Sequence, residues 1–355
     1  MAGFPDARSA ELERLALEYE TSLSWRLTRP LRAAKRLVGG RGGASEEDRG
    51  PTAGDSLDSW LAPYHGERLA EIDRACAESG SPERYALFRE LDDDLWALLL
   101  TREYELYPHI RALLPAMPEP ALQEMWNGRS GLALASQSKA FYVKLRDRYE
   151  RHGARPLDTA SVLDFGCGWG RLTRYLARDV TPGRLYGCDP SEGILDACRA
   201  SRVPATLARS DFRPRELPFD NRFDLAFAFS VFTHLSEAEH ERCLRVLHAA
   251  LEPGGVLIAT IRPPAYLHSC PAMHRVRDAL GSDDAAALAT PRYLFAPHAA
   301  VAVHPQYGGE GEMDYGETVI TMAYVRQRWS EWFELLEVDL LLEDPEQVML
   351  TLKRR

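Results

Sequence analysis

The chain has 355 residues, 45% of them hydrophobic, and a formal net charge of -10 at pH 7. Such a composition fills the core of one large or two ordinary domains, and the negative balance opposes a broad electrostatic footprint for nucleic acid. No run of about 18 apolar residues marks a membrane span, and the opening MAGFPDARSAELER lacks the basic and apolar stretches of a secretory signal. The cytoplasm is therefore the expected compartment, the inner face of the membrane being the place for any peripheral contact.

Residues 1–38 read as an amphipathic helical arm. Leu12, Leu15, Tyr19, Leu23 and Leu27 recur at spacings of three and four, the period of a helical stripe. Arg26, Arg29, Arg32, Lys35 and Arg36 follow with no acid between them. Such a segment suits an anionic membrane surface or a partner helix; packing of the leucines on the rest of the protein is the alternative. Residues 39–55, GGRGGASEEDRGPTAGD, are rich in glycine and charge and predict a flexible linker. Residues 56–155 predict a helical cap region. One helix is expected in SPERYALFRELDDDLWALLLTREYELY, with Ser81 as N-cap and Pro82 at the first helical position. A further helix is expected over 132–152. The six cysteines show no C-x-x-C pair and no zinc-ligand spacing, so reduced thiols and no metal centre are expected.

After Pro156 short apolar runs alternate with helical stretches, the mark of a parallel sheet covered on both faces. SVLDF predicts a buried strand and RLTRYLARDV a helix. Gly166-Cys167-Gly168-Trp169-Gly170 then lies on a strand-to-helix turn, where a ligand would meet free N–H groups. A dinucleotide fingerprint needs G-x-G-x-x-G, but Arg171 stands where its third glycine belongs. The pattern is instead D-x-G-x-G-x-G from Asp164. An acid so close to the loop repels a pyrophosphate and favours an ammonium group, so a cationic ligand is expected. RLYGCD, the next strand, ends on Asp189, placed to take the two hydroxyls of a ribose.

VLDFGCGWG, LYGCDPSEGILDACRA, ARSDF, FDLAFAFSVFTHL and LEPGGVLIATI, in that order over about 200 residues, resemble the successive motifs of class I S-adenosylmethionine-dependent methyltransferases. The resemblance implies an α/β, Rossmann-like fold: a seven-stranded, mostly parallel sheet with an antiparallel closing hairpin, here EVDLLL and VMLTLK with Asp344-Pro345-Glu346 at the turn. It also implies S-adenosylmethionine as cofactor. Asp164, Gly166, Cys167, Gly168 and Gly170 would face its methionine part, Asp189 and Pro190 its ribose side. Ser210, Asp211 and Phe212 would meet the adenine, and Ser230 would lie near the sulfonium. Residues 156–355 would form the catalytic domain, with an insertion at 262–318.

Transfer of a methyl group to a hydroxyl calls for a base, and His234 is the candidate; packing beneath the next helix is its other reading. In the insertion His268, His274, His298 and His304, with Glu312, Asp314 and Tyr315, suggest a lid or acceptor wall, or oxygen ligands for a divalent metal. Trp126, Arg129, Gln137 and Tyr142 are expected in or beneath a cover over the cofactor. SLSWRLTRPLR in the arm is similar to a short segment near the ends of bacterial enzymes of cell-surface polysaccharide synthesis. The acceptor expected from these features is a sugar or glycan precursor. Alternatives are a small natural product methylated at oxygen or nitrogen, and a non-catalytic cofactor-binding scaffold. Nucleic acid is not expected, because Ser230-Val231-Phe232 stands where amino-methylating DNA enzymes carry an acid or asparagine followed by Pro-Pro and an aromatic residue.

Overall fold

The computed structural model describes residues 57–78, 82–281, 284–298 and 314–355. The arm 1–38, the linker 39–55, Ser81, His304 and Glu312 lie outside the described residues. No helix among those described is long and apolar enough to cross a membrane.

Seven strands form one sheet. They are β1 Val162–Phe165, β2 Leu185–Asp189, β3 Thr206–Arg209, β4 Phe223–Ala228, β5 Leu251–Ile261, β8 Phe333–Leu340 and β9 Val348–Arg354, in the order β3-β2-β1-β4-β5-β9-β8. The first five run parallel, and β9 is antiparallel to both of its neighbours. Asp344 and Gln347 close the β8–β9 turn through backbone bonds from Asp344 N to Leu341 O and from Gln347 N to Asp344 O. This is the mostly parallel sheet with a closing hairpin that the motifs imply. Alternate residues supply two cores. Val162, Leu225, Phe227, Val256 and Ile258 face one, and Leu163, Ala226, Ala228, Leu257 and Ala259 face the other, so both faces are covered.

The first core is shared with the N-terminal helices. α1 (Leu57–Glu78), α2 (Asp93–Thr101), α3 (Pro108–Leu113), α4 (Pro120–Asn127) and α5 (Gly131–His152) precede the sheet. Leu69, Trp96, Leu99 and Phe141 from this region belong to one buried cluster with strand residues as distant as Met349. Polar contacts add to it: Arg148 of α5 donates to Asp339 of β8 at 2.6 and 2.7 Å, and His152 lies 2.6 Å from Glu337. On the other face lie α7 (Glu237–Ala250), capped by the Ser236 hydroxyl, and α11 (Met322–Arg328), capped by Thr321. α6 (Glu192–Ala200) joins β2 to β3.

Two local expectations differ from the structure. The helix expected from Ser81 onward is a 3-10 turn over Pro82–Phe88, a break, and then α2, capped by Asp92 through Leu95 N at 2.8 Å. At that break Phe88 O accepts from Leu91 N at 3.2 Å and from the Arg178 guanidinium at 3.3 Å, and Leu91 O accepts from the same guanidinium at 2.7 Å. RLTRYLARDV is likewise a succession of turns with a 3-10 helix at Thr173–Arg178. Side chains intercept its carbonyls: Arg174 Nε donates to Gly170 O, Trp96 Nε1 to Tyr175 O and Arg89 Nε to Arg178 O. The i to i+4 ladder is incomplete: Arg174 N to Gly170 O and Val180 N to Leu176 O are made, whereas Tyr175 N and Asp179 N bond i to i+3, to Leu172 O and Leu176 O.

The insertion contributes α8 (Tyr266–Ser269), α9 (His274–Asp278), α10 (Asp284–Leu288) and a separate two-stranded sheet, β6 (Tyr293–Pro297) with β7 (Gly316–Ile320). β7 runs along the segment after β4: Gly316 N donates to His234 O at 2.8 Å and Thr318 N to Thr233 O at 2.9 Å. That ladder holds the described part of the insertion against the carboxyl ends of the strands.

Candidate functional site

In an open α/β sheet ligands bind where the strand order reverses. Here that point lies between β1 and β4, and the glycine loop and Ser230 follow those two strands. The loop's conformation accounts for its composition. Gly166 and Gly170 have φ of +79° and +77°, and a Cβ would come within 2.5 Å of Val231 Cγ2 at the first and 2.7 Å of Cys198 Sγ at the second. At Gly168 a Cβ would meet nothing within 4 Å, so the loop has an open side there.

The free N–H groups expected in the loop are already bonded inside the protein. Gly166 N and Cys167 N both donate to Cys188 O, at 2.8 and 3.0 Å, and Gly170 N donates to Cys167 O. Gly168 N donates to Asp189 Oδ2 at 3.0 Å. The β1–β2 pairing continues past the strand ends and consumes these amides, so the loop is no phosphate cradle.

Asp164 is buried and accepts from the Thr173 hydroxyl at 2.5 Å. Burial pushes its carboxyl up to about 7. Asp189 is also buried; its Oδ1 accepts from Ser191 N at 2.9 Å, and burial raises it to about 6 against the pull of the Ser191 and Gly168 amides. A carboxylate offers about four lone-pair sites, so one remains on each Asp189 oxygen. Ser210 N donates to Asp189 O at 3.1 Å. Beside it Pro190, Arg209, Asp211, Phe212 and Arg213 line a cleft of about 300 Å³. Ser230, at the end of β4, has φ of +58°, rare for a residue with a side chain. Three groups hold it there: Thr260 Oγ1 accepts its N–H at 2.8 Å, Thr233 Oγ1 lies 3.0 Å from its hydroxyl, and Gln347 Nε2 donates to that hydroxyl at 3.2 Å. Strain held in this way clusters at functional positions.

These two free-protein carboxyls yield a prediction. A cationic, hydroxyl-bearing ligand favours their ionised forms. Binding at pH 6 should therefore release protons, and affinity should fall as pH drops from about 7 to 6. Without ligand the sign is opposite for stability: both carboxyls sit above their unfolded value of roughly 4, so their contribution is full below about pH 4 and is lost as pH rises through about 6 for Asp189 and about 7 for Asp164. Calorimetry in two buffers of different ionisation enthalpy reads the release; identical heats at pH 6 would exclude it.

His234 lies beyond Ser230. Its Nδ1 is 2.8 Å from Gly316 O; a carbonyl only accepts, so Nδ1 carries the hydrogen and Nε2 of the neutral ring has the lone pair. Burial pushes the imidazole's pKa down, against the opposing pull of Glu317. The ring stacks on Tyr315, centroids 5.2 Å apart, and Tyr315 meets Phe212 edge-on at 6.4 Å. That aromatic row connects His234 to the cleft beside Asp211.

The other expected residues divide. His298 Nε2 stands 3.3 Å from Glu317 Oε1. His274 bonds to the His268 carbonyl at the surface. Asp314 is engaged by Arg213 and accepts from the Ser236 hydroxyl at 2.9 Å. Among the described residues no group of three His, Cys, Asp or Glu side chains could hold a metal ion. Tyr142 packs on Tyr175 and donates to Asp179 at 2.6 Å. Trp126 stands partly exposed, whereas its neighbour Asn127 accepts from Trp169 Nε1 in the glycine loop at 3.0 Å. Arg129 donates to the Glu343 carbonyl.

Three residues that sequence reasoning passed over belong to the site. Arg171, marked in the sequence only by its break from the dinucleotide pattern, donates to Gln137 and Ser138, while Gln137 donates to Asp344 at 2.6 Å. Gln347 sits at the expected closing turn, and Glu317 lies in the insertion expected to form a lid or acceptor wall, where the sequence singles out His304, Glu312, Asp314 and Tyr315 but not Glu317.

Residues 162–255 match the family model described as a methyltransferase domain. The chain is 33% identical over 120 residues to the trans-aconitate 2-methyltransferase of Variovorax paradoxus, covering 31% of this chain and 45% of that protein. It is 32% identical over 125 residues to the ubiquinone biosynthesis O-methyltransferase of Methylobacterium sp., covering 32% and 48%. The chain thus spans about half the length of these curated relatives. Among solved structures, the magnesium protoporphyrin IX methyltransferase of Synechocystis PCC 6803 with bound SAH overlaps 76% of this chain and 96% of its own, at 13% identity and a TM-score of 0.42.

Proposed function

We propose that this chain, which carries a class I S-adenosylmethionine-dependent methyltransferase domain, methylates a hydroxyl of a sugar or glycan precursor with His234 as general base. The cofactor is S-adenosylmethionine, and the donor set suits it. Asp164 gives a buried carboxylate for the amino group, Asp189 two spare lone pairs for ribose hydroxyls, and the cleft at Pro190, Asp211 and Phe212 a place for the adenine beside Ser210. The open side of Gly168 gives access for the chain between them. When bound, the cofactor supplies an electrophilic methyl group.

The observation that carries the catalytic reading is the state of His234. Gly316 O fixes the ring through Nδ1, which leaves Nε2 to receive the proton of an acceptor hydroxyl. Four residues before it, the Ser230 hydroxyl is held by Thr233 and Gln347. A small aromatic natural product is the second reading, favoured by the Phe212–Tyr315 row.

Labelled-methyl transfer should be screened over nucleotide sugars, lipid-linked glycans and small phenols. His234→Ala is expected to lower turnover by about 10²- to 10⁴-fold while calorimetric affinity for S-adenosylmethionine stays unchanged. Retained turnover removes His234 as the base, and transfer to phenols alone moves the acceptor to the second reading. No heat with the cofactor would leave only a scaffold.

A further inference from the structure

We infer that Glu317 is the positioning residue for His234: beside the Gly316 carbonyl that orients the ring, its carboxylate raises the basicity of the imidazole and balances the charge formed when Nε2 is protonated. The inference rests on the reading of His234 as the base.

A carboxylate in the interior is stable only with partners that satisfy it. Glu317 is 6% exposed. Its Oε2 accepts from the Tyr266 hydroxyl at 2.9 Å and stands 3.7 Å from His234 Nδ1; its Oε1 lies 3.3 Å from His298 Nε2. Arg262 is turned elsewhere, its guanidinium over the Tyr266 ring at 4.2 Å and donating to the Glu346 carbonyl. The groups in direct contact with the carboxylate are thus two imidazoles and a phenol, not a structural ion pair.

The backbone fixes this placement. Gly316 and Thr318, on either side of Glu317, donate to His234 O and Thr233 O. One strand therefore supplies the carbonyl that orients the imidazole and the carboxylate beside it. Gly316 permits the approach of β6, since a Cβ there would fall 2.1 Å from Ala296 O. β6 in turn brings His298 to the other carboxylate oxygen.

The charged and titratable groups facing His234 are Glu317 and Tyr315 from β7 and its lead-in, His298 after β6, Arg262 after β5 and Tyr266 of α8. Burial opposes ionisation of Glu317, but His234, His298 and Arg262 outweigh it and keep the carboxyl below its ordinary range. A charged Glu317 raises the basicity of the imidazole, countering burial and Arg262. Once Nε2 takes a proton, the imidazolium has a carboxylate at salt-bridge distance in a dry site, an arrangement that costs no reorganisation.

The test is Glu317→Gln, of nearly equal shape. In the free protein, NMR of labelled histidine should show His234 titrating at lower pH than in the wild type. The acid limb of the kcat profile should move down with it, kcat should fall at least about tenfold, and cofactor affinity should stay within about twofold. Tyr266→Phe removes a donor to the carboxylate and should move the same titration upward. Unmoved titration and pH limb in both variants, with only lower thermal stability, would make Glu317 a packing residue. If His234→Ala abolishes transfer while these variants leave the titration in place, this inference alone falls; if His234→Ala is active, the reading of the base falls with it.

Discussion

Asp189→Ala is expected to weaken S-adenosylmethionine binding by about 1.5–3 kcal/mol, roughly 10- to 150-fold. The carboxylate has two duties. It accepts from Gly168 N and Ser191 N, so it ties the glycine loop to the start of α6, and it keeps a lone pair on each oxygen for a ligand hydroxyl. Alanine removes both, so the free protein should also lose about 2–4 kcal/mol, the cost of leaving two amides without their acceptor. The effect is best measured by calorimetry near pH 8, above the raised titration of the carboxyl at about 6. A folded variant with wild-type affinity would contradict the assignment.

Arg178→Met is expected to cost about 3–5 kcal/mol of stability, the range for breaking a buried, hydrogen-bonded charge. The guanidinium is 1% exposed. It donates to Phe88 O and Leu91 O, pairs with Asp93, reaches Tyr142 Oη at 3.1 Å and lies over the Trp96 ring. Methionine preserves much of the volume and none of the donors. Leu91 O at the break before α2 would lose the guanidinium, Phe88 O would keep only Leu91 N, and Asp93 would keep only Arg146. Lysine should not rescue, because one ammonium cannot span the fork of acceptors. Urea denaturation measures the loss; a value below about 1 kcal/mol would show that the helical region holds to the sheet without this residue.

The same residue shows why the chain's division into a cap region and a sheet-bearing region was easier to draw from sequence than it is in space. Composition changes at Pro156, but Trp96, Phe141, Leu225 and Met349 share one core, and Arg178 fills a gap in a segment about ninety residues earlier. Local propensity favours a helix across residues 82–107 and another across 171–180. The first is split before α2 and the second tightens to a 3-10 helix, and at both places side chains from distant segments, Arg178 in one and Trp96 and Arg89 in the other, bond the backbone carbonyls. Such capture is invisible to periodicity, which registers only which face is apolar.

The amino-acid sequence by itself determined the alternating apolar runs, and with them a parallel sheet covered on both faces. It also determined the glycine turn after β1, with its acids Asp164 and Asp189, because these depend on residue type and on spacing within one strand-turn unit. Only the tertiary structure decided which polar groups meet. It spent the loop amides on Cys188 and Asp189, drew the β8–β9 turn to Gln137 and Ser230, and set Gly316 and Glu317 against His234 across a separation of 82 residues between His234 and Gly316. The reason is range: backbone preference and hydrophobic period act over a few residues, whereas a hydrogen bond between distant segments exists only once the sheet order has brought them together.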